Sequence, residues 1–127
     1  MRQMAKRVLT ALIWVALPAA AAEYPDHPVR MIVPFTPAGA TDLLARLVGE
    51  RLGQKLAQPL IIDNRPGAGA NLGAGLVAHA PPDGYTLLMG PASVYAISAA
   101  LYPKLDYDLV KDLVPVSLVA NVPHVLL

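Results

Sequence analysis

The stretch Val29-Arg-Met-Ile-Val-Pro-Phe-Thr-Pro-Ala-Gly-Ala-Thr-Asp42 decides the fold. Its first five residues are β-branched or long aliphatic, apart from Arg30, and Pro34 closes them, which predicts a strand. A glycine-bearing loop follows, and after it the pattern changes period. Leu44, Val48, Leu52 and Leu56 recur every four residues with Ala45 beside them, while Asp42, Arg46, Glu50 and Gln54 form an opposite, wet stripe. The spacing predicts a helix over 41–56, with Thr41 or Asp42 as its N-cap and an i,i+4 pair between Arg46 and Glu50. A strand that feeds a helix through a short loop is one βα unit.

The unit repeats down the chain. Leu60 to Asp63, Thr86 to Met89 and Val116 to Ala120 read as three further strands bounded by Gly, Pro or Asp. Helical patterns over 71–80 and 93–101 separate them. Successive strands begin about 26 to 31 residues apart, the length of a strand plus a crossover helix, so a parallel sheet follows. The second helix is rich in small residues, among them Gly73, Ala74 and Gly75. Each glycine costs a helix about 1 kcal/mol against alanine, which is justified where something packs closely on it.

The amino end reads differently. Arg2, Lys6 and Arg7 form a positive region, Val8 to Leu17 an apolar run broken by Pro18, and Ala20-Ala21-Ala22 a small-residue cleavage site. The run is shorter than the roughly 20 residues a membrane-spanning helix needs, so residues 1–22 read as a cleavable export signal and 23–127 as the mature chain. Three of the ten basic residues lie in that leader, which leaves seven against nine acidic, a net charge of −2. With no basic run and few aromatics, a nucleic-acid surface is excluded. The chain has no cysteine, which removes disulfides, thiol nucleophiles and thiolate metal sites. The apolar run up to Leu127, with no cap or polar tail, reads as a domain broken off within a strand.

Position singles out the loop after the first strand. Ligands of parallel α/β sheets sit beyond the carboxyl ends of the strands, where the strand order switches. The helix that follows leaves its first N–H groups unpaired and partly positive, which suits an anion. Phe35, Thr36, Pro37, Ala38, Gly39, Ala40, Thr41 and Asp42 are therefore the candidate ligand-binding residues; the alternative is an ordinary loop with a capped helix. Asp42 would repel an anion, so capping or water placement suits it better than direct contact. Gly90 and Ser93 follow the third strand and share the same rim.

Other motifs carry less. Gly67, Gly69 and Gly73 are spaced G-x-G-x-x-x-G, and no acidic residue ends the next strand, so a dinucleotide site is disfavoured and a tight turn with close helix packing is preferred. Arg65 reads as either a carboxylate partner or a solvated loop residue, the latter being preferred. His27, His79 and His124 have no metal-like spacing, and Ser93 has no nucleophile setting. Neither a catalytic set nor a metal or cofactor is expected.

Several blocks resemble one known family. Tyr24-Pro-x-x-Pro-Val-Arg-Met-Ile-Val-Pro-Phe35, Pro37-Ala-Gly-Ala-Thr-Asp42, Asn64-Arg-Pro-Gly-Ala-Gly69, Pro82-Asp-Gly-Tyr-Thr-Leu-Leu88, Leu101-Tyr-Pro-Lys104 with Asp108 and Lys111-Asp112, and Pro115-Val-Ser-Leu-Val119 are similar, in order, to the receptors of tripartite tricarboxylate transporters, the Bug-type receptors. The resemblance implies a periplasmic binding protein-like α/β fold, a two-lobed type II flytrap, of which residues 23–127 are the N-terminal part of lobe 1 with three βα units on a mainly parallel sheet and the second lobe absent. It also implies a small carboxylate ligand (a di- or tricarboxylate, an acidic amino acid or an aromatic acid), held often through waters by the loop from Thr36 to Asp42, with Gly90 to Ser93 lining the same cleft. Delivery to the membrane permease subunits of a transporter needs no cofactor. The family commonly has glycine where Ala38 and Ala40 stand, which bears on the loop's geometry. The competing readings are a doubly wound nucleotide-dependent enzyme and a non-functional remnant of a disrupted receptor gene.

Overall fold

The computed structural model describes residues 23–121; the export signal read over 1–22, and His124 within 122–127, lie outside them. The elements are β1 (Val29–Val33), α1 (Ala40–Leu56), β2 (Leu60–Asn64), a 3-10 turn (Ala68–Ala70), α2 (Asn71–Ala78), β3 (Thr86–Leu88) and α3 (Ala92–Leu101). The three strands form one parallel sheet in the order β2-β1-β3. Val29 pairs with Leu60 and Val33 with Asn64 on one side of β1, and Arg30 with Thr86 and Ile32 with Leu88 on the other. β1 is central, so Val29, Met31, Ile32 and Val33 are all buried, as the aliphatic run requires.

The crossover from β1 to β2 and the crossover from β2 back past β1 to β3 run in opposite directions along the sheet and cover opposite faces. On one face Met31, Val33 and Ala45 of α1 form a cluster with Leu60, Ile62, Leu87 and Met89 against it. On the other, Ala70, Ala74, Tyr95 and Tyr107 form a second cluster with Leu88 and Val94. Phe35, just past β1, packs against both. At the opposite edge of the sheet the Tyr24 hydroxyl donates to the Gly84 carbonyl (2.7 Å) and the Tyr85 hydroxyl to Asp26 Oδ1 (2.7 Å), which ties the chain's entry to the start of β3.

α1 differs from its expected form in three ways. It begins at Ala40 with Gly39 as N-cap and no side-chain cap bond, so neither Thr41 nor Asp42 caps it. Its buried residues are Asp42, Ala45 and Gly49, while Leu44, Val48, Leu52 and Leu56 are half-buried. Small residues line the contact because the helix lies close on the sheet: a Cβ at Gly49 would stand 3.1 Å from Ile62 Cδ1. Asp42 leaves the wet stripe because its carboxylate turns onto the Ala38 N–H, Arg46 and Asn64. Arg46 pairs with Asp42 (2.9 Å) and not with Glu50, the orientation an i,i+4 acid-base pair favours.

The expected fourth strand is not formed. Residues 116–120 pair with no strand among the described residues, and Val116 and Leu118 are 85% and 83% exposed. An apolar run marks what could be buried, but a strand exists only by pairing, and nothing described lies alongside this one.

α2 fixes the far wall of the β1 exit. A Cβ at Gly73 would stand 2.7 Å from Pro34 Cβ, 3.1 Å from Pro34 Cα and 3.2 Å from the Arg65 carbonyl oxygen. Gly73→Ala therefore forces backbone apart, and overpacking of that kind costs about 1–3 kcal/mol. Gly49→Ala meets only the flexible end of Ile62 and gains up to about 1 kcal/mol of helix propensity. Urea unfolding of the two variants is expected to show Gly73→Ala destabilised and Gly49→Ala unchanged or stabilised; the same loss in both would contradict the packing described.

Candidate anion-binding site

All three strands run the same way, so their exits share one edge. The Arg65 N–H donates to the Val33 carbonyl (2.8 Å) and the Met89 N–H to the Ile32 carbonyl (2.9 Å), which keeps the exits of β2, β1 and β3 side by side. β1 leads to α1 on one face, and β3 leads to α3 on the other, where Tyr95 joins the second cluster. Neighbouring strands whose connections part to opposite faces leave a crevice between them.

The predicted residues divide along this crevice. Phe35 is half-buried and anchors the loop, Thr36, Pro37, Ala38, Gly39 and Ala40 are exposed, Thr41 is half-buried and Asp42 is buried. They form one continuous rim. The first intrahelical bond runs from the Leu43 N–H to the Gly39 carbonyl (3.0 Å), so the N–H groups of Ala40, Thr41 and Asp42 have no partner within the helix. Gly90 is half-buried and Ser93 exposed, on the exit of β3 and the first turn of α3. No hydrogen bond joins this pair to the first rim among the described residues. Gly90 is confined to glycine by Tyr95, whose hydroxyl and ring edge occupy the space a Cβ would need.

Asp42 is the centre of the rim's internal structure. Its Oδ2 accepts from the Ala38 N–H (2.9 Å) and from Arg46 Nε (2.9 Å), and its Oδ1 accepts from Asn64 Nδ2 (3.0 Å). The same Asn64 amide donates to the Phe35 carbonyl (3.1 Å). The carboxylate thus reaches back to the loop just ahead of the helix, as the acidic arm of a capping box does. Arg46 foremost, with the Ala38 and Asn64 donors, holds the Asp42 carboxyl down to about 2 from its ordinary 3.8. Arg46 also offsets its charge, so the pair does not oppose an anion at the helix start.

Ala38 sits at φ 68°, in the left-handed region that alanine enters at a cost of about 1–2 kcal/mol. The loop therefore keeps a conformation suited to glycine even though alanine stands there, and the Asp42 bond to its N–H helps to hold it. Ala40 is the first residue of α1, where alanine is well suited.

Asn64 and Arg46 were not among the expected site residues. Asn64 ends β2 directly beside Val33, the last residue of β1, so its side chain meets the β1 loop; its place at a strand's carboxyl end was the available signal. The glycines after it do make a turn, Gly67 at φ 141° and Gly69 at φ 63°. Arg65 is not a free loop residue: its Nε lies 2.9 Å from Asp63 Oδ1, and Arg30 pairs with the same carboxylate. Among the described residues no three His, Cys, Asp or Glu side chains are grouped to hold a metal. His79 Nδ1 bonds the Gly75 carbonyl (2.7 Å) at the end of α2, a structural role. Two open grooves lie away from the crevice, one between α1 and the β2 edge from Arg46 to Ile62, the other around Tyr102, Tyr107 and Asp112.

Comparison with known proteins decides the family. The family model described as the tripartite tricarboxylate transporter family receptor matches residues 44–127. The chain belongs to that family. Protein BugT of Bordetella pertussis is 42% identical over 120 residues, which cover 94% of this chain and 37% of BugT. A solved periplasmic transporter is 47% identical with a TM-score of 0.66 over 69% of this chain and 30% of its own. MatC from Rhodopseudomonas palustris, solved with bound malate, is 44% identical with a TM-score of 0.66 over 70% of this chain and 30% of its own. The fold is thus that of the receptor family's periplasmic binding proteins, and the chain spans a little over a third of the length of BugT.

The depressed Asp42 pKa gives a pH test. A carboxyl lowered on folding adds stability that is present above its ordinary pKa and disappears as pH falls through the folded value, here between about 4 and 2. Asp42→Asn is expected to melt below the wild type at pH 6, with the gap closing as pH falls through that window. Asp26, Asp63 and Asp108 are also lowered, but their shares cancel in the difference. A gap that is constant from pH 6 to 2 would contradict the arrangement.

Proposed function

We propose that the chain is part of a periplasmic solute-binding receptor that captures a small carboxylate at the start of α1 and passes it to the membrane permease of a tripartite tricarboxylate-type transporter. In this reading residues 1–22 are a cleaved export signal and 23–127 the N-terminal part of the receptor's first lobe. The site is the rim from Phe35 to Asp42, with Gly90 and Ser93 facing it across the crevice.

One observation carries the reading: helix-unpaired N–H groups of Ala40 and Thr41 stand at the strand-order switch beside a carboxylate whose charge Arg46 already offsets. Such a terminus attracts anionic oxygen, and the Thr36 and Thr41 hydroxyls add donors. The malate bound in MatC belongs to the same chemical class. Capture and release need binding groups alone, so the role is that of a receptor and not an enzyme. No described helix is long and apolar enough to cross a membrane.

Thermal melts of the exported protein with millimolar malate, succinate, citrate, glutamate and benzoate test the ligand class, with glucose and putrescine as controls. At least one acid is expected to raise the melting temperature; an acid at 100 times its Kd adds about 2.7 kcal/mol. Shifts with a control and none with any acid would defeat the proposal. Mass spectrometry of the periplasmic product is expected to find an amino terminus near Glu23; a retained leader would refute the export reading.

A further inference from the structure

We propose that Asn64 sets the carboxylate affinity of the β1 rim without touching the ligand, by locking Ala38 in the left-handed conformation that aims the loop's N–H groups into the crevice. This deepens the site proposed above and rests on it.

Asn64 joins the sheet to both ends of the loop. Its Nδ2 donates to the Phe35 carbonyl (3.1 Å), where the loop begins, and to Asp42 Oδ1 (3.0 Å), where it ends. Asp42 in turn holds the Ala38 N–H at 2.9 Å, midway along. The register that sets Asn64 beside Val33 makes the lock rigid, because β2 cannot shift without breaking the ladder. The Arg46 guanidinium completes the cluster, on Asp42 Oδ2 at 2.9 Å and on Asn64 Oδ1 at 3.4 Å. The Oδ1 contact also fixes the orientation of the Asn64 amide, since only its oxygen can accept from Arg46 while its nitrogen donates.

The consequence is energetic. Ala38 at φ 68° is strained, and a residue in that region persists only where its surroundings over-determine it. Remove the lock and Ala38 relaxes toward the ordinary helical or extended regions, which turns the neighbouring peptide groups. The binding-competent loop is then only fractionally populated, and apparent affinity falls by that fraction. Asn64 is accordingly a positioning residue, and glycine at position 38 should substitute for part of its effect, because glycine enters the left-handed region at no steric cost.

The test uses Asn64→Ala, Ala38→Gly and the double variant in the exported protein, with two readouts. The first needs no ligand: amide exchange of the Ala38 N–H by NMR. Asn64→Ala is expected to lower its protection about tenfold, the ratio equivalent to one hydrogen bond to a charged group, while β1 amides stay protected. The second is calorimetric affinity for malate, or for whichever acid of the panel gives the largest melt shift. Asn64→Ala is expected to weaken it about tenfold in the wild-type background but only about threefold in the Ala38→Gly background, so that the double variant regains roughly half of the loss on a logarithmic scale. A merely structural role for Asn64 would lower stability without that rescue. Wild-type affinity in Asn64→Ala, or a double variant as weak as the single, would overturn the proposal.

Should no acid bind even the wild type, the carboxylate reading fails and the exchange measurement alone decides: unchanged Ala38 protection in Asn64→Ala overturns the lock. Should Asn64→Ala not fold, Arg46→Gln, at an exposed position, loosens the same carboxylate and must lower Ala38 protection; unchanged protection there overturns it equally.

Discussion

Everything at the strand-exit edge depends on how a single buried carboxylate is satisfied. Asp42 lies at 2% exposure, where an ionised group survives only if paired and hydrogen-bonded. It has a backbone N–H from the loop, a guanidinium from its own helix and an amide from β2. Those three partners belong to three different pieces of chain, so satisfying the charge fixes the loop against helix and sheet together. The alternative, an uncompensated buried charge, is costly enough to exclude loop conformations that leave Asp42 unpaired.

The same constraint reconciles two demands that look opposed. A carboxylate in the first turn of a helix is favoured by the helix dipole, yet an anion site at that terminus should not carry a bare negative charge. Pairing Asp42 with Arg46 offsets that charge and leaves the helix-unpaired N–H groups of Ala40 and Thr41 at the rim. The close seat of α2, made possible by Gly73 against Pro34, and the plug of Phe35 between the two clusters then hold the rim on a stiff base. Backbone donors on a stiff base lose little freedom on binding, which favours the proposed capture of a small acid.

Much of this was legible before any coordinates. A central strand buried on both faces announces itself as the unbroken aliphatic run around Met31 and Ile32, and the four-residue recurrence of Leu44, Val48, Leu52 and Leu56 located α1 to within a residue. The rim from Phe35 to Asp42 followed from topology. What escaped was whatever depends on which residues meet across the sheet. Asn64 becomes part of the rim only through its register with Val33, and register is a tertiary property. Arg46 had an acid four residues away on each side, Asp42 and Glu50, and burial of one of them chose. The run from Val116 to Ala120 has the composition of a strand, but composition cannot supply a neighbour. Ala38 is the subtler case: alanine there argued against a glycine-like turn, and the Asp42 contact to its N–H overrides that local preference.

The most direct measurement of the central claim is a crystal structure of the receptor with malate, or with the acid that stabilises it best. The account requires a carboxylate oxygen of the ligand within hydrogen-bond reach, directly or through one water, of the Ala40 or Thr41 N–H, with Asp42 still turned inward on Arg46 and Asn64. A ligand seated away from the strand exits, a cation in that crevice, or an Asp42 swung out to meet the ligand would contradict it.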